Sequence, residues 1–358
     1  MALRRILSLL VCLGVLFELS HSDVACRNDQ GKEVDWYILY KLPKSSGDGL
    51  SYLYMDQSTR GWRFSREKIN SSSGSVANTL KPLFDFYKKK TEGFGYILYN
   101  DQPPKSLKLA SASFAHSKGF VMLNKTTGVW MSHSTPQFPS YRTEHFWPSS
   151  GNNNAQTFLC VTYPYSEFKN IGIHLKYMHV YPYDSDLPPY FTEELKCVAQ
   201  RSCYPKSKPW FKVLDLTSLK GRHFKSFAKY SRFKKDLYDG LIVNFTQQDL
   251  YVKSWGSMRQ PLPSNCSKII PHFVYNIKQV NPHRRGPFPD TVDHSKWCVT
   301  PSGSFTCVAD MNREVSQMSR GGGAVCMDDP IVGAAFFTAV QNAQPCDFPR
   351  LPADYEEL

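Results

Sequence analysis

The stretch HSKGFVMLNKTTGVWMSHS at residues 116–134 has a counterpart, HSKWCVTPSGSFTCVADMNR, at residues 294–313. Each copy begins with His-Ser-Lys, continues as a β-rich run, passes a turn that contains glycine and returns as a second β-rich run. The first copy predicts strands at 119–123 and 129–131, and the second at 297–300 and 305–308. We therefore expect each copy to form a β-hairpin whose far strand ends close to its own His-Ser-Lys.

The two tripeptides place a histidine and a lysine two positions apart, as His116 and Lys118 and again as His294 and Lys296. Because residues i and i+2 project from the same face of a strand, each copy can direct an imidazole and an ammonium into one cleft. Two such copies predict one site in which two histidines and two lysines surround a phosphate. His-x-Lys occurs twice more in the chain without the strand-turn-strand context, so the repeated context carries this prediction.

Other patterns place strands, helices and loops around these hairpins. Residues 34–41 and 95–99 are typical of strands, and residues 78–90 are typical of an amphipathic helix. A polar loop is expected at 148–156, and a junction between two halves at 183–190. Over roughly 330 residues this mixture fits one large α/β unit or two similar α/β halves. We favour two halves packed face to face.

The N-terminus has the features of a secretory signal. Arg4 and Arg5 precede a short apolar run at 6–17, and small or polar residues follow at 20–25. We therefore predict a signal peptide at 1–22, with cleavage as late as residue 25, and no stable insertion of the mature chain in a membrane. The expected destination is the extracellular fluid, a venom or the lysosome.

Cysteine usage agrees with that destination. The chain has ten cysteines, and nine remain once Cys12 leaves with the signal. In an oxidising compartment most should pair, and the odd number leaves at least one that is free or bonded to another chain. Sequons that permit N-glycosylation occur at Asn70, Asn124, Asn244 and Asn265.

The chain is basic, with a formal net charge of +12. This balance favours a polyanionic partner, either nucleic acid or an acidic membrane surface, although a basic secreted protein without such a partner is equally compatible. The most basic segment, 205–236, interleaves lysines and arginines with aromatic residues. It predicts either a groove for DNA phosphates or, more commonly, a solvated amphipathic helix over a core.

Two further motifs carry a weaker signal. The stretch Arg-Gly-Gly-Gly at 320–323 lacks the Gly-Lys-Ser/Thr ending of a phosphate-binding loop, so a tight turn is expected there. Cys298 lies four residues after His294, which permits a Cys-His nucleophile. An unpaired buried thiol is the favoured interpretation.

The chain as a whole resembles deoxyribonuclease II, the acid endonuclease family of the phospholipase D superfamily. The two His-Ser-Lys copies resemble the two His-x-Lys elements of that family. The similarity covers nearly the whole secreted chain and includes residues 34–36, 40–43, 99–104, 262–267, 293–298 and 320–323. Within the family these stretches are most similar to a venom protein, which adds a toxin role to the expectations.

The resemblance implies two pseudo-symmetric phospholipase D-like halves, at 23–187 and 188–358, each a β-sheet flanked by helices. They would share one central active site without a metal or other cofactor, and DNA would be the substrate. One histidine would attack phosphorus to form a phosphohistidine, while the other, as imidazolium, would protonate the departing 5′-oxygen. Water would then release a 3′-phosphate, and Lys118 and Lys296 would neutralise the charge on the non-bridging oxygens.

We assign His116 as the nucleophile and His294 as the acid, although the pseudo-symmetry allows the roles to be exchanged. Since the acid must start protonated and histidine has a reference pKa of about 6.5, an acidic optimum is expected. The superfamily pattern His-x-Lys-x4-Asp is absent, because Leu123 and Pro301 occupy the Asp positions. Polar residues at the ends of the far strands are therefore the candidates to orient the histidines. The alternative is that they are ordinary polar groups at strand ends. The candidates are His133, Asp310 and Asn312.

Two other functions stay open on the sequence. A phospholipase D-like enzyme could use the same residues on lipid head groups, and assays on DNA and on phospholipid would separate these activities. A secreted toxin or binding protein with a vestigial site is the third interpretation, against which the intact histidines and lysines argue. A homodimer is compatible with the sequence.

Overall fold

The computed structural model describes residues 24–266 and 271–346. The predicted signal peptide at 1–22 lies outside the described residues. The chain is a mixed α/β protein with two large, mainly antiparallel sheets and few helices. Within the described ranges no helix is both long enough and apolar enough to cross a membrane.

The first large sheet is fully antiparallel and has the strand order β10-β6-β7-β8-β9-β3-β4-β5. A separate pair, β1 with β2, precedes it in the chain. The bounds are β1 Cys26–Arg27, β2 Glu33–Val34, β3 Trp36–Lys41, β4 Ser51–Asp56, β5 Arg63–Lys68, β6 Gly95–Asn100, β7 Lys118–Leu123, β8 Thr127–His133, β9 Gln156–Pro164 and β10 Pro182–Asp186.

The second large sheet has the order β11-β12-β18-β17-β16-β13-β14-β15, and β19 also pairs with β14. The pair β13 with β14 is parallel, and the other pairs are antiparallel. The bounds are β11 Phe211–Thr217, β12 His223–Lys229, β13 Leu250–Lys253, β14 Val274–Val280, β15 Phe288–Pro289, β16 Trp297–Val299, β17 Phe305–Ala309, β18 Gly322–Asp328 and β19 Val340–Ala343.

The helices are short, with 4 to 14 residues each. Their bounds are α1 Ser75–Lys88, α2 Phe168–Met178, α3 Glu193–Ala199, α4 Val243–Thr246, α5 Val315–Met318 and α6 Pro330–Phe337. A π-helical turn, Tyr238–Ile242, leads into α4. At the start of α6, the Asp329 side chain accepts the N–H groups of Ile331 and Val332, and Pro330 occupies the first turn, so the sequence itself specifies this terminus.

Alternation along the strands divides the apolar side chains between a central core and two outer cores. Tyr40 belongs to the central cluster, which combines residues of both sheets with α2 and α6, whereas its neighbour Leu39 joins the outer cluster beneath α1. In the second sheet Trp297 faces the central cluster, and Cys298 lies in the other outer cluster. The central cluster therefore holds the two sheets together.

Four disulfide bonds form among the described cysteines, Cys26–Cys160, Cys197–Cys203, Cys266–Cys346 and Cys307–Cys326. Cys298 is buried and unpaired. The expectation that most cysteines pair and that one of nine is left over is confirmed.

Both predicted hairpins are confirmed, since Phe120 pairs with Met131 in β7–β8 and Cys298 pairs with Cys307 in β16–β17. The strand predicted at 34–41 is observed as β3, the helix predicted at 78–90 as α1, and the strand predicted at 95–99 as β6. The polar loop expected at 148–156 contains a short 3-10 turn, Ser149–Asn152.

Two local predictions were wrong. The segment 205–236 contains the β11–β12 hairpin and not an amphipathic helix, because buried Phe224 and Ser226 alternate with the more exposed His223 and Lys225 at the period of a strand. The stretch 320–323 is not a tight turn, because Gly322 and Gly323 begin β18 and pair with Lys229 and Ala228 of β12. Gly321 is required for a different reason, since a Cβ atom there would collide with the backbone of Met178.

Candidate active site

The first His-Ser-Lys lies at the entrance to β7. The backbone N–H of His116 donates to the carbonyl oxygen of Gly321 at 2.9 Å, which anchors the residue to the chain just before β18. Its ring atom Nδ1 lies 2.8 Å from the carbonyl oxygen of Asp310. A carbonyl oxygen can only accept, so Nδ1 carries the proton. In the neutral ring, Nε2 then keeps its lone pair.

The second His-Ser-Lys lies at the entrance to β16 and is held by residues of the first sheet. The N–H of His294 donates to the carbonyl oxygen of Ala155 at 2.9 Å. The preceding Asp293 is fully buried, and its carboxylate accepts the Tyr40 hydroxyl at 2.6 Å and the Ser295 N–H at 2.9 Å. The Trp255 ring packs edge-on against His294, with centroids 4.7 Å apart.

Two buried ammonium groups near these histidines have carboxylate partners. Lys118 donates to Asp101 at 2.6 Å, and Asp101 also accepts from Arg320 at 3.2 Å. Lys253, at the end of β13, lies 3.3 Å from the carboxylate of Asp293. These ion pairs are largely removed from water, so each depends on its partner remaining in place.

The two copies influence each other electrostatically. Burial, then the charges of Lys296, Lys253 and Lys118, lowers the pKa of His294 to about 3. Burial also holds the pKa of His116 well below its usual value, with Lys118 and Lys296 acting in the same direction and Asp101 opposing them. Each histidine therefore senses the lysine of the other copy. The site is an enclosed positive environment that suits an anionic group.

The pKa of Lys296 is also affected by burial and by the lysines of the site. Burial, followed by the charges of Lys118 and Lys253, lowers its pKa to about 7. A phosphate placed among these groups would oppose that repulsion and favour their charged forms.

Asp310, one of the predicted supporting residues, contacts the site through its backbone and its side chain. Its carbonyl accepts from His116, so the far strand of the second hairpin serves the first His-Ser-Lys and not only its own copy. Its carboxylate Oδ2 accepts the Gly323 N–H at 3.1 Å, while Oδ1 is buried without a hydrogen-bond partner. Burial raises the pKa of this carboxyl to about 7.

The other two supporting candidates are placed less directly. Asn312 accepts the Trp255 N–H at 3.2 Å, and Trp255 in turn packs on His294. His133 is buried beside Phe138 and Phe158, and its Nδ1 accepts the Thr135 N–H at 3.2 Å. Burial, then the charge of Lys118, holds the pKa of His133 well below its usual value. These contacts favour the interpretation of His133 as an ordinary strand-end polar group that does not orient a catalytic histidine.

Cys298 and the four sequons complete the sequence-based candidates. Burial raises the pKa of the Cys298 thiol, which disfavours the thiolate that a Cys-His nucleophile would need. The sequon residues Asn70 and Asn244 are exposed. Asn124 is buried in the β7–β8 turn, where its side-chain oxygen accepts from Thr126 and Thr127, and Asn265 donates to Asp239 at 2.7 Å.

Sequence reasoning missed several residues that surround the four candidates. They are Tyr40, Asp101, Lys253, Trp255, Asp293 and Arg320. Asp101 and Arg320 stand in stretches that the sequence marked as turns, so their charge was the available signal. Among the residues described, no group of three or more His, Cys, Asp or Glu side chains is arranged to hold a metal ion.

Comparison with known proteins gives one consistent family. The family model for Deoxyribonuclease II matches residues 25–346. Deoxyribonuclease-2-alpha of Rattus norvegicus is 38% identical over 347 residues, which are 93% of this chain and 98% of the relative. Plancitoxin-1 of Acanthaster planci is 35% identical over 95% of this chain and 97% of its own length. Deoxyribonuclease-2-beta of Homo sapiens is 34% identical over 94% and 96% respectively.

Proposed function

The chain belongs to the deoxyribonuclease II family, and we propose that it is an acid endodeoxyribonuclease that cleaves DNA to 3′-phosphate and 5′-hydroxyl ends without a metal. The observation that carries this proposal is the 2.8 Å hydrogen bond from His116 Nδ1 to the Asp310 carbonyl, which joins the first His-Ser-Lys to the hairpin of the second copy. Two of the relatives are named as deoxyribonucleases, which supports DNA as the substrate.

We assign the attack to His116. The contact from Nδ1 to the Asp310 carbonyl leaves the Nε2 lone pair free in the neutral ring, which is the form a nucleophile requires. Nε2 forms a bond to phosphorus while the bond from phosphorus to the 5′-oxygen breaks, and that oxygen takes its proton from the His294 imidazolium. Lys118 and Lys296 stabilise the negative charge on the non-bridging oxygens.

The second step reverses the proton transfer. Neutral His294 accepts a proton from water, whose oxygen attacks phosphorus as the phosphorus–nitrogen bond to His116 breaks. The products are a 3′-phosphate, free His116 and protonated His294. The enzyme is thereby ready for another cycle.

An acidic optimum follows from the state of His294. Its pKa is about 3 in the site without substrate, so the ring is neutral at pH 5. A bound phosphodiester anion favours imidazolium and raises that pKa, which couples protonation to substrate binding. Activity should therefore fall as the pH rises above the pKa reached in the complex.

We further propose that residues 23–187 and 188–358 are two pseudo-symmetric, phospholipase D-like halves that share this site. The strand order β10-β6-β7-β8-β9-β3-β4 corresponds position by position to β14-β13-β16-β17-β18-β12-β11, with the His-Ser-Lys hairpins at matching places. Lys41 and Lys229 end the matching strands β3 and β12. Both ammonium groups donate to loop carbonyls, including those of Asn152 and Arg320, which supports the correspondence.

Plasmid nicking at about pH 5 and pH 7, with and without EDTA, tests the proposed activity. We expect faster nicking at pH 5 and no effect of EDTA, with loss of cleavage in both His116→Ala and His294→Ala. Cleavage retained by both variants would refute the assignment of the site, and loss in EDTA would refute the metal-free scheme. Phospholipid hydrolysis with no nicking would support the lipid phosphodiesterase instead.

We also propose export of the protein to the extracellular space or the lysosome, where its four disulfides would persist. The similarity to plancitoxin-1 makes a toxic action a further proposal. If toxicity depends on DNA cleavage, His294→Ala will abolish it. Toxicity that persists in that variant would indicate a binding function.

A further inference from the structure

A cluster of aromatic rings leads away from the first His-Ser-Lys along the surface of the β11–β12 region. Its members are Phe114, His179, Tyr204, Tyr230 and Trp210, with successive ring centroids 4.4 to 6.1 Å apart. Phe114 lies two residues before His116, so the cluster begins beside the candidate nucleophile. We call these five residues the aromatic ledge.

The ledge is tied to the active site by hydrogen bonds. The N–H of Ala115 donates to the carbonyl oxygen of His179 at 2.9 Å. The guanidinium of Arg320 donates to the carbonyl oxygen of Phe114 and to the carboxylate of Asp101, the partner of Lys118. These bonds fix Phe114, the first ring of the ledge, relative to Lys118 and its carboxylate partner.

The surroundings of the ledge are strongly basic. Between residues 195 and 235 the sequence contains one acidic residue, Asp215, which pairs with Lys225. The Arg232 guanidinium lies 5.2 Å from the centre of the Trp210 ring. The neighbouring cations Lys206, Lys208 and Lys234 are exposed. This charge suits a phosphate backbone that runs past the rings.

Tyr204 is the most accessible ring of the ledge, with 37% of its surface exposed, while its neighbours Tyr230 and His179 are nearly buried. The Tyr204 and Tyr230 rings are stacked, at 10° between planes. An exposed aromatic side chain supported by buried rings and bordered by cations is the arrangement by which proteins hold unpaired bases. Paired bases inside a duplex do not offer their faces to such a surface.

We propose that the aromatic ledge is a subsite for single-stranded or locally unpaired DNA, with a base in contact with Tyr204 and the backbone led toward His116. The inference rests on the proposed function and adds a contact to an unpaired base that lies away from the cleaved phosphate, since Phe114 and His179 come before Tyr204 in the series of rings. It also assigns DNA binding to the basic segment at 205–236, which the interpretation as a solvated helix did not.

Binding to a non-cleaving protein tests the ledge independently of catalysis. In a His116→Asn background, the affinity for a fluorescent oligothymidylate is measured by anisotropy, with and without Tyr204→Ala. We expect Kd to rise about tenfold on loss of the ring and to be restored by Tyr204→Phe. An abasic oligonucleotide of the same length should bind the tyrosine and alanine proteins equally, because it has phosphates but no bases.

The matched control is Tyr190→Ala. Tyr190 is also exposed and lies beside a cation, Lys125, but that lysine is in the β7–β8 turn at the opposite end of β7 from His116. This variant should leave Kd unchanged. An equal loss of affinity in Tyr190→Ala and Tyr204→Ala, or no loss in either, would overturn the proposal, as would an equal loss for the abasic strand.

Kinetics with a small substrate separates the ledge from the chemical site. Thymidine 3′-(4-nitrophenyl phosphate) has no nucleotide beyond the one joined to the cleaved phosphate and so offers no distant base to Tyr204. Tyr204→Ala in the otherwise intact enzyme should therefore hydrolyse it with unchanged kcat and KM. With oligothymidylate the same variant should show a raised KM and a nearly unchanged kcat. Impaired hydrolysis of the small substrate would indicate a damaged active site and contradict the ledge. If the unmodified enzyme cleaves neither substrate, the proposed function fails, while the binding result still decides the ledge.

Discussion

The ring of His116 and the backbone carbonyl of Asp310 are joined by a 2.8 Å hydrogen bond between the two sheets. Asp310 follows β17 of the second sheet, whereas His116 precedes β7 of the first. A backbone carbonyl can only accept, so the neutral ring keeps its proton on Nδ1 as long as this bond is made. The proposed nucleophile of one hairpin is thus oriented by the other.

This orientation predicts which histidine becomes covalently modified. With a 4-nitrophenyl phosphodiester, the leaving group needs no acid, so His294→Asn should still be attacked by His116. The resulting phosphohistidine should accumulate because the base for its hydrolysis is missing. Mass spectrometry after an alkaline quench should find the adduct on His116. His116→Asn is the control and should give no adduct, whereas an adduct on His294 in that protein would reverse the assigned roles.

Protonation of His294 should be coupled to ligand binding. At pH 5.5 its free ring is neutral, since its pKa is about 3, and a bound phosphate raises that pKa. Calorimetry in His116→Asn protein with an oligonucleotide, repeated in buffers of different ionisation enthalpy, should reveal uptake of about one proton. Adding His294→Asn should remove most of this uptake. Binding without uptake in the protein that retains His294 would contradict the scheme.

Asp310→Asn should alter how stability depends on pH. The pKa of Asp310 is raised from 3.8 to about 7 in the folded protein, so its contribution is complete below 3.8 and is lost as the pH rises through about 7. The variant should therefore gain up to about 4 kcal/mol relative to the original protein between pH 4 and pH 8. Urea unfolding at several pH values measures this difference. A difference that is constant with pH would show that the carboxyl does not titrate in this range.

Removal of Asp101 should be costly, because it leaves two cations without their shared carboxylate. Asp101→Ala is expected to lower the free energy of unfolding by about 3 kcal/mol. In a Lys118→Met background, Asp101→Ala should lower the free energy of unfolding by less than it does in the original protein. A double-mutant cycle measured by urea unfolding gives the coupling energy between the two residues. Additive effects of the two substitutions would argue against an energetic link. Lys81→Met is a suitable control, since its ion pair with Asp85 is exposed and should contribute less than about 1 kcal/mol.

Local pattern was sufficient for the parts of the fold that alternate cleanly. The β7–β8 and β16–β17 hairpins and helix α1 were predicted because their apolar periods are unbroken. In β11–β12, lysines conceal the period of two. A long basic stretch is compatible with a solvated helix and with a strand, so the local sequence does not distinguish them. The pairing of β12 with β18 is what makes this segment a strand.

The four central residues were found because two identical tripeptides share one context. Their partners were harder to find from sequence. Asp101 lies seventeen residues before Lys118. The acceptor for His116 is a backbone carbonyl 194 residues away, and a backbone carbonyl is present in every residue type, so the sequence does not mark it. Contacts of this kind arise from the packing of two sheets, so only the tertiary structure reveals them.

The disulfide pattern has a consequence for a nicked molecule. Cys26–Cys160 and Cys197–Cys203 lie before Tyr204, and Cys266–Cys346 and Cys307–Cys326 lie after it, so no described disulfide crosses that point. A protease that cuts after the exposed Lys206 would therefore produce a two-chain enzyme with no covalent bond between its parts. The fragments would separate in detergent without any reductant. In native buffer the shared apolar core would keep them together as one particle.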